Sequence, residues 1–382
     1  MNKLPEDWEI KKLKDIGNVY TGITPPTSDK ENFGNEHLFV TSADIKENKY
    51  IFNSIRKLSN KGFEKTKKFK KGDILYVCIG SIGKIALAKT DFSCNQQINV
   101  LRVNKEIDNE FIYYQLMNSF PYISKFISKR VVPIMNKTTF ENLEISLPSL
   151  NEQKRIASAL SKIDAYLENT IKLIEEKERF KRGIAKKLLT CKEGENIPEA
   201  RFKGFEDEWE TIMLGDILSY EQPKDYIVKS EEYNNKYKYP VLTAGKTFIL
   251  GYTNEEFGIY NKLPVIIFDD FTTDAQYVDF PFKVKSSAIK ILKSKYYNTK
   301  LIYELIKNIK FNARTHKRYY ISEYQYLKIK IPKSIKEQEK IGGYLSLLDE
   351  EIDNLKKQKE LIKEMKRGAM QKLLSGEVRL LE

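Results

Sequence analysis

Histidine is almost missing from this chain of 382 residues: only His37 and His316 occur. That excludes histidine-rich metal sites and takes away the usual candidate for acid–base catalysis. Cysteine is scarce too. Cys78, Cys94 and Cys191 are odd in number, scattered, and form no CxxC pair, so neither a disulfide framework nor a zinc site is expected. No apolar run of about 18 residues is present, and Met1-Asn2-Lys3-Leu4-Pro5-Glu6-Asp7 contains no apolar signal core. The expectation is a cytoplasmic protein with no membrane partner.

Catalytic signatures are equally sparse. Gly80-Ser81-Ile82-Gly83-Lys84-Ile85 has the look of a phosphate loop, but that motif needs glycine where Cys78 stands and Ser or Thr where Ile85 stands. There is no G-x-S-x-G elbow, no H-E-x-x-H, no glycine-rich nucleotide fingerprint and no Asn-Pro-Pro-Tyr of an adenine methyltransferase. Asp269-Asp270 is the one pair that could hold a metal in a nuclease, against the plainer reading of a polar strand end. The expectation is a chain with no catalytic residues, no metal and no cofactor of its own.

What is present is apolar, aromatic and basic. Hydrophobic residues make up 41% of the chain, with 23 Tyr and 20 Phe, enough for real cores; the length predicts two domains. The net charge is +13 and the pI about 9.2, which points to a polyanionic partner.

An internal repeat organises these residues. Glu6-Asp7-Trp8-Glu9 is echoed by Asp207-Glu208-Trp209-Glu210, and Leu13-Lys14-Asp15-Ile16 by Leu214-Gly215-Asp216-Ile217. Leu147-Pro148-Ser149-Leu150-Asn151-Glu152-Gln153 returns, with one insertion, as Ile331-Pro332-Lys333-Ser334-Ile335-Lys336-Glu337-Gln338. The register then holds without a gap: Ile163-Asp164 matches Leu348-Asp349, Lys181-Arg182-Gly183 matches Lys366-Arg367-Gly368, and Lys187-Leu188-Leu189 matches Lys372-Leu373-Leu374. The stretches between the echoes, 20–145 and 220–330, share little. The framework is duplicated and what it carries has diverged.

Residues 152–190 and 337–375 each read as one long helix. Their stripes are Ile156, Leu160, Ile163, Leu167, Ile171 and Ile174 in the first, and Ile341, Leu345, Leu348, Ile352, Leu355, Ile362, Ala369 and Leu373 in the second. Pro148 and Pro332 precede them, where a helix start tolerates proline. Each helix would run about 60 Å, and a stripe that long needs a partner. The two are expected to pair antiparallel, with an approximate two-fold axis and the variable regions at opposite ends. Such a chain could meet two stretches of duplex roughly 10 base pairs apart. The bland alternative is that each helix packs only on its own domain.

The variable regions read as mixed strand and helix. Lys71–Gly80 reads as a turn and a buried strand, Leu263–Phe268 as the matching apolar strand ahead of Asp269-Asp270, Gly80–Lys84 as a turn, and Glu110–Met117 and Leu301–Ile306 as short helices. The fold class expected is α+β: two domains joined by two long antiparallel coiled-coil helices. Basic residues cluster at comparable places. Lys65, Lys67, Lys68, Lys70 and Lys71 form one run, open between phosphate contact and a solvated face. The DNA-contact candidates are Lys84, Lys125, Lys129, Arg130, Asn136, Lys137, Lys246, Lys310, Arg314, Lys317, Arg318, Tyr319 and Tyr320, since Lys and Arg neutralise phosphates and Asn reads base edges. The Tyr residues interleaved near Arg318 suit phosphate and groove contacts.

The layout resembles the specificity subunit of type I restriction–modification systems. Leu4-Pro5-x-x-Trp8, the Trp209 echo, Pro148-Ser149-Leu150-Asn151-Glu152-Gln153-x-x-Ile156 and Gln371-Lys372-Leu373-Leu374-Ser375-Gly376 carry the likeness over nearly the whole chain. The resemblance implies two target-recognition domains, at 1–150 and 194–335, with spacer helices at 151–193 and 336–382 acting as a ruler. It implies two modification subunits that methylate adenine with S-adenosylmethionine, and restriction subunits that use ATP and Mg. Two other readings stand beside it: a self-sufficient DNA nuclease centred on Asp269-Asp270, and a coiled-coil adaptor without sequence preference.

Overall fold

The computed structural model describes residues 4–127, 132–244, 247–311, 313 and 317–381. The chain forms two compact units, Met1–Lys172 with Lys356–Glu382, and Leu173–Leu355. The long helices run Leu150–Leu189 and Ile335–Leu374, 40 residues each, so each gives one half to either unit.

In the first unit a five-stranded sheet has the order Gly17–Thr21, Ile98–Val103, Ile74–Val77, Ile85–Ala88, Tyr50–Ile51. Strands Ile74–Val77 and Ile85–Ala88 are buried along their whole length, as their unbroken apolar runs require. A three-stranded sheet, Arg56–Leu58, Phe33–Val40, Ser93–Cys94, packs beside it. Glu9–Lys12 pairs antiparallel with Glu144–Leu147, placing Glu9 opposite Leu147 just ahead of the first long helix. The short helix Asn109–Asn118 starts at Asp108, whose carboxylate accepts the Phe111 N–H at 2.8 Å.

The second unit repeats this plan with fewer strands. Its four-stranded sheet has the order Leu218–Glu221, Ile289–Ser294, Val265–Asp269, Ala275–Val278; its three-stranded sheet is Ile249–Thr253, Tyr239–Leu242, Lys283–Val284. Glu210–Met213 pairs with Lys328–Ile331 ahead of the second long helix. The short helix Thr299–Lys307 is capped by Asn298 through the Leu301 N–H, at 2.9 Å.

The helix stripes do not serve the helix pair alone. In the first unit Ile156 and Leu160 of one helix and Met370, Leu373 and Leu374 of the other share a core with Trp8, Phe111 and Tyr113. In the second unit Ala185 and Leu188 meet Ile341 and Leu345 in a core that includes Trp209, Leu301 and Ile302. Within each unit the two helix halves are antiparallel, since rising numbers on one face falling numbers on the other.

Candidate nucleic-acid interface and its supports

The proposed contact residues stand in different surroundings. Lys84 is exposed on the turn after Ile74–Val77, its ammonium donating to the Ser42 carbonyl at 3.1 Å. Lys125 and Lys310 are exposed. Lys137 pairs with Glu141 at 3.2 Å, Lys317 pairs with Glu323, and the exposed Arg318 lies 5.9 Å from the Phe271 ring centroid. Asn136 caps a one-turn helix by accepting the Thr139 N–H at 2.8 Å. Lys129, Arg130, Lys246 and Arg314 lie outside the described residues.

Tyr319 and Tyr320, expected at the DNA surface, are core residues. They are 2% and 1% exposed, and their rings pack on Phe311 and on Phe268 and Tyr220. The Tyr319 N–H bonds the Asp270 carbonyl at 2.9 Å and the Tyr320 N–H the Asp270 carboxylate at 2.8 Å, which turns both rings inward. The aromatic interleaving is core packing. The Lys65–Lys71 run is also largely spoken for: Lys65 pairs with Asp29, Lys68 with Glu64 and Lys70 with Asp91.

Of the expected helix-packing residues, Ile156, Leu160, Ile174, Ile341, Leu345, Leu348, Ile352 and Ile362 are buried, while Ile163, Leu167 and Leu355 are half-buried. Apolar periodicity missed the charged residues among them. Asp164 pairs with Lys366 at 2.6 Å in the first unit, and Asp349 with Lys181 at 2.6 Å in the second. These are the same two duplicated positions, acid on one helix and lysine on the other. Burial works to raise the Asp349 carboxyl, but Lys181 and Lys300 together hold it below its ordinary value.

The Glu-Gln pair at each helix start has a defined task. Gln153 donates to the Pro148 carbonyl (2.9 Å) and accepts the Asp108 N–H (3.0 Å). Gln338 donates to the Pro332 carbonyl (2.7 Å) and accepts the Asn298 N–H (2.9 Å). One buried amide thus ties each long helix to the capping residue of the short helix beside it. Glu152 takes both arms of a fork from Arg379, at 2.7 and 2.8 Å, and Glu337 takes both from Arg201, at 2.8 Å each. Such a fork is the strong form of a charged hydrogen bond. Both carboxylates are buried, at 1% and 2% exposure.

Asp269 and Asp270 are occupied structurally. Asp269 accepts the N–H groups of Phe271 (2.8 Å) and Thr272 (3.2 Å) in a turn, and Asp270 pairs with the buried Lys290 at 3.2 Å. Among the described residues no cluster of three or more His, Cys, Asp or Glu could hold a metal, and no helix is long and apolar enough to cross a membrane.

The duplicated frame has a known counterpart. The chain matches the type I restriction modification DNA specificity domain twice, over residues 5–176 and 206–364, and belongs to that family. It is 51% identical over 141 residues to the EcoR124I/EcoR124II specificity subunit of Escherichia coli, a match spanning 35% of this chain and 34% of that one. It is 28% identical over 419 aligned positions to the MjaIX specificity subunit of Methanocaldococcus jannaschii, covering 100% of this chain and 96% of that one. The crystal structure of a type I restriction–modification S subunit from M. genitalium shares the fold, with a TM-score of 0.68 at 22% identity over 98% of this chain and 97% of that one.

Proposed function

We propose that this chain is the DNA-reading subunit of a type I restriction–modification assembly and recognises a bipartite, asymmetric duplex site. One observation carries the reading: a frame of helix halves, clamps and ribbons is built twice, while the sheet domains it carries differ in sequence and strand number. A duplicated frame holding two unlike domains suits two unlike half-sites separated by a spacer that the helices measure.

In this reading the chain has no catalytic step. Two modification subunits would supply adenine methylation with S-adenosylmethionine, and restriction subunits would supply ATP- and Mg-dependent cleavage. Carboxylates committed to structure at Asp269 and Asp270 favour this over a nuclease, and the divergence of the two sheet domains favours it over an adaptor indifferent to sequence.

Methylome sequencing of a host carrying this chain with a modification subunit, against a host lacking the chain, tests the reading. A new methyladenine motif in two parts with a fixed gap is expected. With the assembly verified, no motif would overturn it. Adding one turn to the helix after Leu167 adds about 5 Å and should lengthen the gap without altering either half; a changed half-site would count against the ruler.

A further inference from the structure

Three loops meet at one end of the larger sheet in each unit, held there by the same backbone bonds. The Val77 N–H bonds the Lys84 carbonyl (2.9 Å), as the Asp269 N–H bonds that of Asp274 (2.8 Å). The Cys78 N–H bonds the Gln97 carbonyl (2.8 Å), as the Asp270 N–H bonds that of Ala288 (3.3 Å). The Asn95 N–H bonds the Val40 carbonyl (3.1 Å), as the Lys285 N–H bonds that of Leu242 (2.9 Å). Even the segments holding the basic clusters attach alike, Met135 N–H to Cys78 and Tyr319 N–H to Asp270, both at 2.9 Å. These bonds put the positions of the two tips in correspondence: Lys84 matches Asp274, Gln97 matches Ala288 and Asn95 matches Lys285.

The first tip presents donors. The Gln97 side-chain Oε1 accepts from the Ser42 hydroxyl (3.2 Å) and the Asn95 side-chain amide (3.0 Å), and the Gln96 Oε1 accepts from the Thr24 hydroxyl (2.6 Å). Both amides are thereby oriented with N–H groups left to offer, beside the exposed ammonium of Lys84. The second tip has no amide in the matching loop: Lys285, Ser286, Ser287 and Ala288 span the stretch held by Asn95, Gln96 and Gln97, and an exposed acceptor, Asp274, stands where Lys84 does.

We infer that these tips are the base-reading edges, with Lys84, Gln96 and Gln97 reading acceptor-bearing base edges in one half-site and Asp274 accepting from an amino group in the other. The inference rests on the DNA-reading function proposed above. Ordered donors match the N7 and O6 of guanine in the major groove, whereas a carboxylate matches the N4 amino group of cytosine. Each side chain is on a loop buttressed by sheet, so it is presented at little further ordering cost.

The test uses the assembled complex, the duplex motif found by methylome sequencing, and single-position variants of that duplex. Gln96 is exposed, so Gln96→Ala should leave thermal unfolding unchanged. It should weaken cognate binding at least about fivefold and abolish discrimination at a G·C pair in one half-site only. Asp274→Asn should do so in the other half-site. Lys125→Ala, a phosphate contact at most, should weaken binding to all duplexes alike. Unchanged discrimination in both Gln96→Ala and Asp274→Asn, or both acting on one half-site, would overturn the inference while leaving the specificity role intact. A wild-type complex with no preferred motif would overturn that role itself.

Discussion

The two units solve one electrostatic problem with different residues. Each gathers two acids and two lysines, buried or half-buried, where the short helix meets the helix pair. In the first unit they are Glu110, Asp164, Lys49 and Lys366, arranged as separate pairs: Lys49 with Glu110 at 2.8 Å, and Lys366 with Asp164 at 2.6 Å. Tyr114 joins the groups, donating to Asp164 at 2.5 Å while accepting from Lys49 at 3.0 Å. In the second unit Glu304, Asp349, Lys181 and Lys300 form one closed ring of contacts, each lysine reaching both acids. Counting from its cap, the short helix has an acid at Glu110 where its counterpart has a base at Lys300, and Tyr114 where its counterpart has Glu304. Only Asp164/Asp349 and Lys366/Lys181 are kept. Charge balance is what both junctions preserve, since an uncompensated buried charge is far costlier than a particular pairing.

That contrast predicts unequal responses to the same deletion. Lys366→Met leaves Asp164 with a tyrosine alone and should cost about 3–5 kcal/mol in urea unfolding. Lys181→Met should cost less, because Lys300 still reaches both acids; equal losses would mean the ring shares nothing. Adding Asp164→Leu to Lys366→Met should recover most of the loss, since a buried pair replaced by apolar groups is often neutral.

The Arg–Glu clamps come next in size. Glu337→Ala and Glu152→Ala should each cost about 1–3 kcal/mol. The larger loss should be at Glu337, since Arg201 is more buried than Arg379 and the Trp209 indole N–H also donates there, at 3.4 Å. A larger loss at Glu152 would refute this ranking.

Acid should also weaken the junction of the second unit. Asp349 is held below its ordinary 3.8, so the unfolded chain binds more protons than the folded one as pH falls below that value. Its contribution is complete above about pH 4 and is lost as pH drops through the lowered value. The stability gap between wild type and Asp349→Asn should therefore close in that window; a gap constant to pH 2 would show the carboxylate is not the source.

The smallest effect concerns the paired tryptophans. The Trp8 indole N–H is buried and has no hydrogen-bond partner among the described residues, unlike that of Trp209. Trp209→Phe should thus cost about 1 kcal/mol more than Trp8→Phe.

Much of this frame is legible in the sequence alone. The echo of Glu152-Gln153 in Glu337-Gln338 marked both helix starts, but not that each glutamine would reach a proline carbonyl and a distant capping N–H. Alternation of tyrosine and base near Arg318 reads equally well as surface or core, and Asp270 decides it by anchoring Tyr319 and Tyr320 inward. The Lys65–Lys71 run reads equally as phosphate contact or solvated face, because Asp29 and Asp91, which take up Lys65 and Lys70, lie far from it in sequence. Gln96 and Gln97 carried no signal at all: an amide in a loop is unremarked until its carbonyl is seen to be occupied.

The sequence by itself determined the duplicated frame and the two amphipathic helices, because a repeat and a helical stripe are written in local spacing. Only the tertiary structure decided which charges are neutralised, which tyrosines are core, and which loops share a tip. Those depend on contacts between residues remote along the chain, where Coulomb and hydrogen-bond energies are set by distance and burial.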